Sequence, residues 1–584
     1  IGYHDALGSN LWLHTRRGEV LRSVPRDNEA INECWLPDRD RYSCEGLQAA
    51  DRARKPQLKR DGKWAHAEWA DALAYVAGKL KACKGDDIGA LVHPATSCEE
   101  GVLLARILQS LGSANMDHRL RALDLSDGAS AAPFAMPVAQ LEHAGAVLLI
   151  GCDPRSEMPL LNHRLRSAGK RGARVFAINP AHFDFNYPLA GETVVPPQAM
   201  LEALLRLANA AGVTGDDRRL ADAIGTAGAG EHPQAAATAL KDAASKIVVF
   251  GLAAAQHPQA SLLRALAQMI ARATGAAFNE IPEGANAIGL AQVGVLPDGN
   301  GLDALAMLEQ PRKATILYGC EPPHDFADGA QAMRALQYAE CVVAFAAFAP
   351  APLREVADVI LPIGLTPETD ATLVNVDGVA QACSAGAILP GAARAGWRVL
   401  RALGGLLETP GFDFTDIAEV RTGMLGMGAD ATPAPRGAQG DWEPFSAKLP
   451  RAARARALPG AARTQPDWAR APLGAPPPDV HAPRQASGAL VRLATVPIYR
   501  GDAVVRRAAP LQEHPLNRAP ALRLHADDAQ ALNLADGGRA DVNGTTLPVV
   551  VDAAVPRGCA WIEAAHDATA ALPPYGAALT IAKA

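Results

Sequence analysis

Ala146-Val-Leu-Leu-Ile-Gly-Cys-Asp-Pro154 is an apolar run that ends on a glycine, a cysteine, an acid and a proline. A run without polar alternation suits a strand covered on both faces, as in a parallel sheet. Its echo lies downstream, where Ala314-Thr-Ile-Leu-Tyr318 leads into Gly319-Cys-Glu-Pro322. Between and around these runs, strand candidates alternate with helical patterns. Ile88–Val92, Ala173–Ile178, Lys246–Phe250, Cys341–Phe345 and Val356–Leu361 read as strands. Ser97–Leu111, Glu157–Ala168 and Ser261–Thr274 read as helices. Glu99 and Glu100 favour the first turn of their helix through its dipole. Trp64–Leu80 carries Trp69, Leu73, Val76 and Leu80 on one stripe, which predicts a helix. The alternation predicts an α/β fold with a doubly wound parallel sheet.

In such a sheet, ligands bind at loops that follow strand C-termini. Gly151, Asp153, Gly319 and Glu321 are therefore candidates for a nucleotide-binding pair of loops. Glycine permits close backbone approach, and the acid can accept from a ribose or a guanine edge. The same residues also read as two ordinary strand-to-helix turns. No GxGxxG is present, so a nicotinamide or flavin site has no positive support.

The flanks differ from this body. Residues 1–56 read as short strands and turns, with Leu11–Thr15 and Glu19–Arg22 forming a hairpin about Arg16-Arg17-Gly18. Residues 57–408 form the body. Residues 409–489 are rich in Pro, Ala and Gly, with arginines between Arg451 and Arg470, and read as a connector with little core of its own. Residues 490–584 turn to short strands (Val491–Ile498, Ala521–Leu524, Arg539–Val542, Thr546–Val551, Ala560–Glu563) and one helix, Ala526–Leu534. That pattern predicts a closed β-barrel.

Composition narrows the function classes. Among 584 residues, 56 Lys+Arg face 62 Asp+Glu, a net charge of −6, which disfavours nucleic acid as a general partner. Hydrophobic residues at 49% support a sizeable core. The most apolar uncharged stretch, Cys341–Leu353, is broken by Pro350 and Pro352, so no direct membrane span is expected. No secretory signal opens the chain. It begins Ile1-Gly2 rather than on Met, so a fragment or processed product is expected. The nine cysteines include no CxxC pair, which suits a reducing cytosol.

Several stretches carry a resemblance. Asp5–Asn10, Thr15–Val20, Pro25-Arg26, Asn28-Glu29, Ile31–Glu33 and Trp35–Gly46 resemble the large iron–sulfur subunit of NADH-quinone oxidoreductase, the bacterial complex I. The likeness continues more weakly through Ala357–Pro362, Glu368–Gln381 and Leu522–Trp561. The order of parts resembles the molybdopterin-oxidoreductase fold: small N-terminal β subdomain, two-lobed α/β body, C-terminal barrel. The resemblance implies that the full-length subunit carries 2Fe-2S and 4Fe-4S clusters N-terminal to this chain. It also implies a place on the cytoplasmic face of the inner membrane, among the peripheral-arm subunits of a proton-translocating complex that include the NADH-binding flavoprotein.

The departures from the family pattern shape the expected role. Relatives with an additional tetranuclear cluster bind it through CxxCxxxC and a later Cys. The corresponding slots here are Gly2, Asp5, Ser9 and Pro37, and none is a thiolate. Cys34 and Cys44 are too few to replace them. Catalytic relatives ligate molybdenum shortly after an Asn-x-Asp strand. After Asn115-Met116-Asp117 that place falls on Leu123, with Asp124 beside it. Glu368, Thr372, Asn375, Asp377 and Gln381 resemble the loop that closes over the pterin, and are expected to bond among themselves and to water. His182-Phe183-Asp184, His324-Asp325 and His163 read as loop or surface hydrogen-bonders. The expectation is a non-catalytic structural region with no cofactor of its own. The alternatives are an active molybdopterin oxidoreductase of formate dehydrogenase type, and a nucleotide-binding scaffold.

Overall fold

The computed structural model describes residues 1–215, 218–228, 230–427 and 489–584. Two α/β lobes form the body. In the first, the strands Val359–Pro362, Cys341–Ala346, Ala314–Tyr318, Ile88–Val92 and Met116–Asp117 lie side by side and parallel. The hairpin Gln57–Arg60/Lys63–His66 adds an antiparallel edge. In the second, Ala277–Glu280, Lys246–Phe250, Ala146–Ile150, Arg174–Asn179 and Gly191–Val194 are all parallel. The chain leaves the first lobe after Met116–Asp117, builds the second, and is back in the first by Ala287–Gln292, whose Ile288 and Leu290 join its core.

Every residue of Ile88–Val92, Ala146–Ile150 and Ala314–Tyr318 is buried, which is why these runs lack polar alternation. Helices cover both faces. Cys98–Ser110 starts at Ser97, whose hydroxyl accepts from Glu100 N at 3.3 Å. Ala260–Thr274 ends on Gly275 in the left-handed region.

Two sequence expectations shift. Helix over 64–80 begins only at Trp69, because Lys63–His66 is a strand turned by Gly62 at φ +75°. Trp64 pairs across that hairpin with Lys59, and its indole N–H donates to the Arg354 carbonyl at 3.3 Å. The helix expected over 157–168 is two helices, Pro154–Glu157 and Pro159–Lys170, each opened by a proline.

Residues 409–427, which composition assigns to the connector, pack on the first lobe instead. Phe412, Phe414, Ile417, Val420 and Leu425 join its core, and Arg421 pairs with buried Glu99 at 2.6 Å. The rest of that connector, 428–488, lies outside the described residues. The C-terminal part is a seven-stranded, nearly closed barrel-like sheet. Its two outermost strands, Ala578–Leu579 and Ile581–Lys583, are separated only by Thr580, so the sheet's edges come together. The strand expected over 491–498 ends at Leu493. The chain then leaves the sheet as a strap, Tyr499–Arg507, that reaches back to the body.

Candidate functional site

Each lobe has a place where the strand order reverses, and the two glycine–cysteine–acid loops sit there. In the second lobe, the loops after Ala146–Ile150 and Lys246–Phe250 meet backbone to backbone. Ala254 N lies 3.3 Å from the Gly151 carbonyl, and a Cβ on Gly151 (φ +52°) would stand 2.5 Å from Ala254 N. Glu157 bridges them: its carboxylate accepts from Asp153 N at 2.9 Å and Leu252 N at 3.1 Å. Burial pushes the Glu157 carboxyl up to about 8. Cys152 N donates to the Asn179 side chain at 2.9 Å, and burial raises the Cys152 thiol. The crevice that a nucleotide would enter is closed by the protein's own backbone.

The first lobe repeats the local geometry with a different filling. Glu321 N donates to Asp325 Oδ2 at 2.7 Å, as Asp153 N does to Glu157 four residues on. Here the strap supplies two arginines. Arg506 donates to Glu321 and to Asp325, each at 2.9 Å. Arg507 pairs with Glu321 at 2.8 Å and with Asp51 at 2.5 Å. Arg121 stands 3.6 Å from Asp325 and 3.4 Å from Glu283. Burial opposes ionisation of Asp325, but the charges of Arg506, His93 and Arg121 outweigh it and hold the carboxyl below its ordinary value. The acid proposed for a ribose or a guanine is thus already spent on guanidinium groups.

The strap is pinned in turn. Asp502 accepts from Val504 N at 2.8 Å and Val505 N at 3.1 Å, and meets His4 Nδ1 at 2.7 Å. His4 Nε2 meets Ser43 Oγ at 2.7 Å. Burial alone would lower His4, yet Asp502 outweighs it and raises the imidazole. The N-terminal segment, the body and the C-terminal sheet therefore share one buried charge network.

The four expected cluster slots gather beside that network. Gly2 N donates to the Ser9 carbonyl at 2.7 Å, and a Cβ on Gly2 would stand 2.5 Å from Asp40 Oδ2. Asp5 accepts from Leu7 N at 2.9 Å and binds Arg39 at 2.5 Å. Pro37 precedes the helix Asp38–Tyr42 that carries Arg39 and Asp40. Burial pushes the Asp40 carboxyl up to about 6. Cys34 is exposed and Cys44 half-buried. Gly and Pro have no side-chain donor, Asp5 is held by Arg39, and two thiols do not make four, so the set does not fit a tetranuclear cluster.

Leu123 packs with Phe183, Leu493 and Tyr575 in an apolar cluster between body and C-terminal sheet. Asp124 is engaged by Ser126 Oγ at 2.6 Å and Ser261 Oγ at 2.5 Å. The polar stretch expected to bond to itself bonds mainly elsewhere. Glu368 takes Arg52 at 2.7 Å, Thr372 takes Glu99 at 2.6 Å, and Asp377 accepts from Val138 N at 3.1 Å. Asn375 and Gln381 donate to the Leu7 and Gly8 carbonyls at 3.3 and 3.1 Å. His182 pairs with Glu192 at 2.6 Å, His324 with Asp567 at 2.9 Å, and His163 stands 3.8 Å from Glu33. Among the described residues, no group of three or more His, Cys, Asp or Glu is placed to hold a metal ion. A small cleft in the second lobe, lined by Leu148, Phe176 and His232, shares no lining residue with either loop.

Sequence reasoning missed the strap. Its signal was Arg506-Arg507 following a strand candidate, but nothing local marks which acids they meet.

Comparison with known proteins follows the same outline. A family model described as molybdopterin oxidoreductase matches residues 52–406. A second, described as NADH-ubiquinone oxidoreductase NDSU1/NuoG-like, 4Fe-4S domain, matches residues 1–45. The NADH-quinone oxidoreductase G subunit of Rickettsia conorii is 39% identical over 170 residues, 28% of this chain and 25% of that protein. The mitochondrial NADH-ubiquinone oxidoreductase 78 kDa subunit of Neurospora crassa is 25% identical over 454 residues, 72% of this chain. The chain spans 53% of that relative's length. Acetylene hydratase from Pelobacter acetylenicus shares the fold, with a TM-score of 0.67 at 14% identity over 98% of both chains. The pterin that this fold implies does not fit the residues present, since Leu123 offers no donor and Glu321 is clamped by Arg506 and Arg507.

Proposed function

Because this chain belongs to the molybdopterin oxidoreductase family, we propose that it keeps the family's fold as a brace and has given up its chemistry. In this reading it is the non-catalytic C-terminal region of the large iron–sulfur subunit of an NADH-quinone oxidoreductase. The relatives named above and the match over residues 1–45 support it. The full subunit passes electrons from NADH oxidation towards quinone through 2Fe-2S and 4Fe-4S clusters outside this chain. Its partners are the other peripheral-arm subunits, the NADH-binding flavoprotein among them, on the cytoplasmic face of the inner membrane. No helix among the described residues is long and apolar enough to cross a membrane.

The observation that carries the reading is the clamp of Arg506 and Arg507 on Glu321, Asp325 and Asp51. It occupies the crevice where the fold binds ligands. Function lives in sites grafted on folds, and a fold can persist once its site is filled. Gly2, Asp5, Ser9, Pro37 and Leu123 are on this view vestigial slots. Residues 1–56, 57–427 and 490–584 are vestigial cluster unit, body and barrel, the body taking in the 409–427 that pack on its first lobe. Metal analysis tests the reading. The chain, purified from cells that make molybdopterin, is expected to hold only trace iron, molybdenum and tungsten; a stoichiometric amount of any of them refutes it.

A further inference from the structure

The outer face of the N-terminal hairpin has no role in the crevice. Leu11–Arg16 pairs with Glu19–Pro25 and with no other strand among the described residues. A lone two-stranded hairpin is marginal in water. Its inner face is anchored: Leu13 lies opposite Ser23, which is buried, and packs at Gly386. The outer face is bare. Trp12 lies opposite Val24 and is 53% exposed; Leu21, at the bulge, is 61% exposed. His14 lies opposite Arg22 and meets it at 3.0 Å. The Arg26 guanidinium stacks 4.8 Å over the Trp12 ring. Arg16, Arg17 and Arg22 are exposed and form no ion pair among the described residues. Elsewhere in this chain of net charge −6, arginines such as Arg39, Arg52, Arg506 and Arg507 are matched with acids.

We propose that this face docks a carboxylate-rimmed apolar patch on a neighbouring protein subunit. The inference rests on the reading of the chain as one subunit of a larger complex. Exposed aromatic and aliphatic side chains ringed by exposed arginines have the composition of an interface centre and rim. At the hairpin this chain sets one acid, Glu19, opposite Arg16, so Arg17 and Arg22 are the cations that call for acids on another protein. Nucleic acid is the poorer fit. One face of Trp12 is already taken by Arg26, Leu21 and Val24 do not stack on bases, and the net charge of −6 opposes a polyanion.

The test uses the full subunit in its assembled complex, with Arg17→Lys and Arg22→Lys. A carbodiimide joins a lysine amine to a carboxylate in direct contact, and mass spectrometry identifies the joined peptides. Links from positions 17 and 22 to Asp or Glu of a different subunit are expected. Links only within this chain, links to a second copy, photochemical links to RNA, or no link at all overturn the proposal. Trp12→Asp with Leu21→Asp is expected to reduce recovery of the subunit in the complex by about tenfold or more. The melting curve of the isolated protein should move by no more than the small cost of losing the Arg26–Trp12 stack, since both side chains are largely exposed. Unchanged recovery also overturns the proposal. If the unaltered subunit is absent from any NADH-oxidising complex, the broader reading falls and this one with it. A subunit present in the complex with an unlinked hairpin defeats the docking surface alone.

Discussion

Arg506→Met removes the charge that neutralises Glu321 and Asp325. Both carboxylates stay buried, with only the Arg507, Arg121 and Glu321 N–H contacts left to them. Removing one partner of a buried pair costs about 3–5 kcal/mol, because the other charge is stranded. In a domain of 150–250 residues that corresponds to about 6–20 °C in the midpoint of the transition that frees the strap. Scanning calorimetry on the full chain reads it. The sign of the pH dependence should also invert. In the unaltered protein Asp325 is held below its ordinary value, so its contribution is present above about pH 3.9 and is lost on acidification through its folded value. In the variant the stranded Asp325 carboxyl moves above its unfolded value, so stability should grow as pH falls from neutrality. Adding Glu321→Gln and Asp325→Asn should recover more than half of the loss, since replacing all members of a buried ionic cluster is often neutral. A single variant that melts within about 0.5 kcal/mol of the parent at neutral pH, the range of an ordinary surface change, refutes the clamp.

Other outcomes follow from the same geometry. Arg39→Met strands buried Asp5 and should cost about 3–5 kcal/mol in urea unfolding. Gly151→Ala should destabilise by well over the roughly 1–2 kcal/mol of a left-handed alanine, because its Cβ meets Ala254 backbone; Gly172→Ala, at φ +94° with open space around it, should cost only the conformational part, as thermal melts of both would show. Glu157, raised by burial to about 8, should appear in carboxyl-carbon NMR as a group titrating near that pH. Its contribution is full below its unfolded value of about 4.3 and is lost as pH rises through 8, so a flat stability profile across that window contradicts the assignment.

The sheet strands were readable because burial on both faces leaves its mark within the strand itself. Ile88–Val92, Ala146–Ile150, Lys246–Phe250 and Ala314–Tyr318 have the same limits in the structure as in the sequence pattern. Trp64 misled because a helix carried back from the Trp69 stripe to Trp64 ignores Gly62, whose turn makes a hairpin of the residues before Trp69. The two crevice loops were also visible, through their repeated glycine, cysteine, acid and proline. What the loops hold was not. Arg506 lies 181 residues beyond Asp325, and Asp502 lies 498 beyond His4. Such pairings leave no period or spacing to read, and the apolar letters through Ile498 hid the point where the strap departs from the sheet.

That separation along the chain has a consequence for synthesis. At about 5–20 residues per second, Glu321 and Asp325 leave the ribosome roughly 10–40 s before the arginines that neutralise them. For that interval the nascent lobe has its strands but an acid-lined mouth, open and repelling itself. Translation thus orders events: the cavity forms first, and the stopper arrives later to seal it.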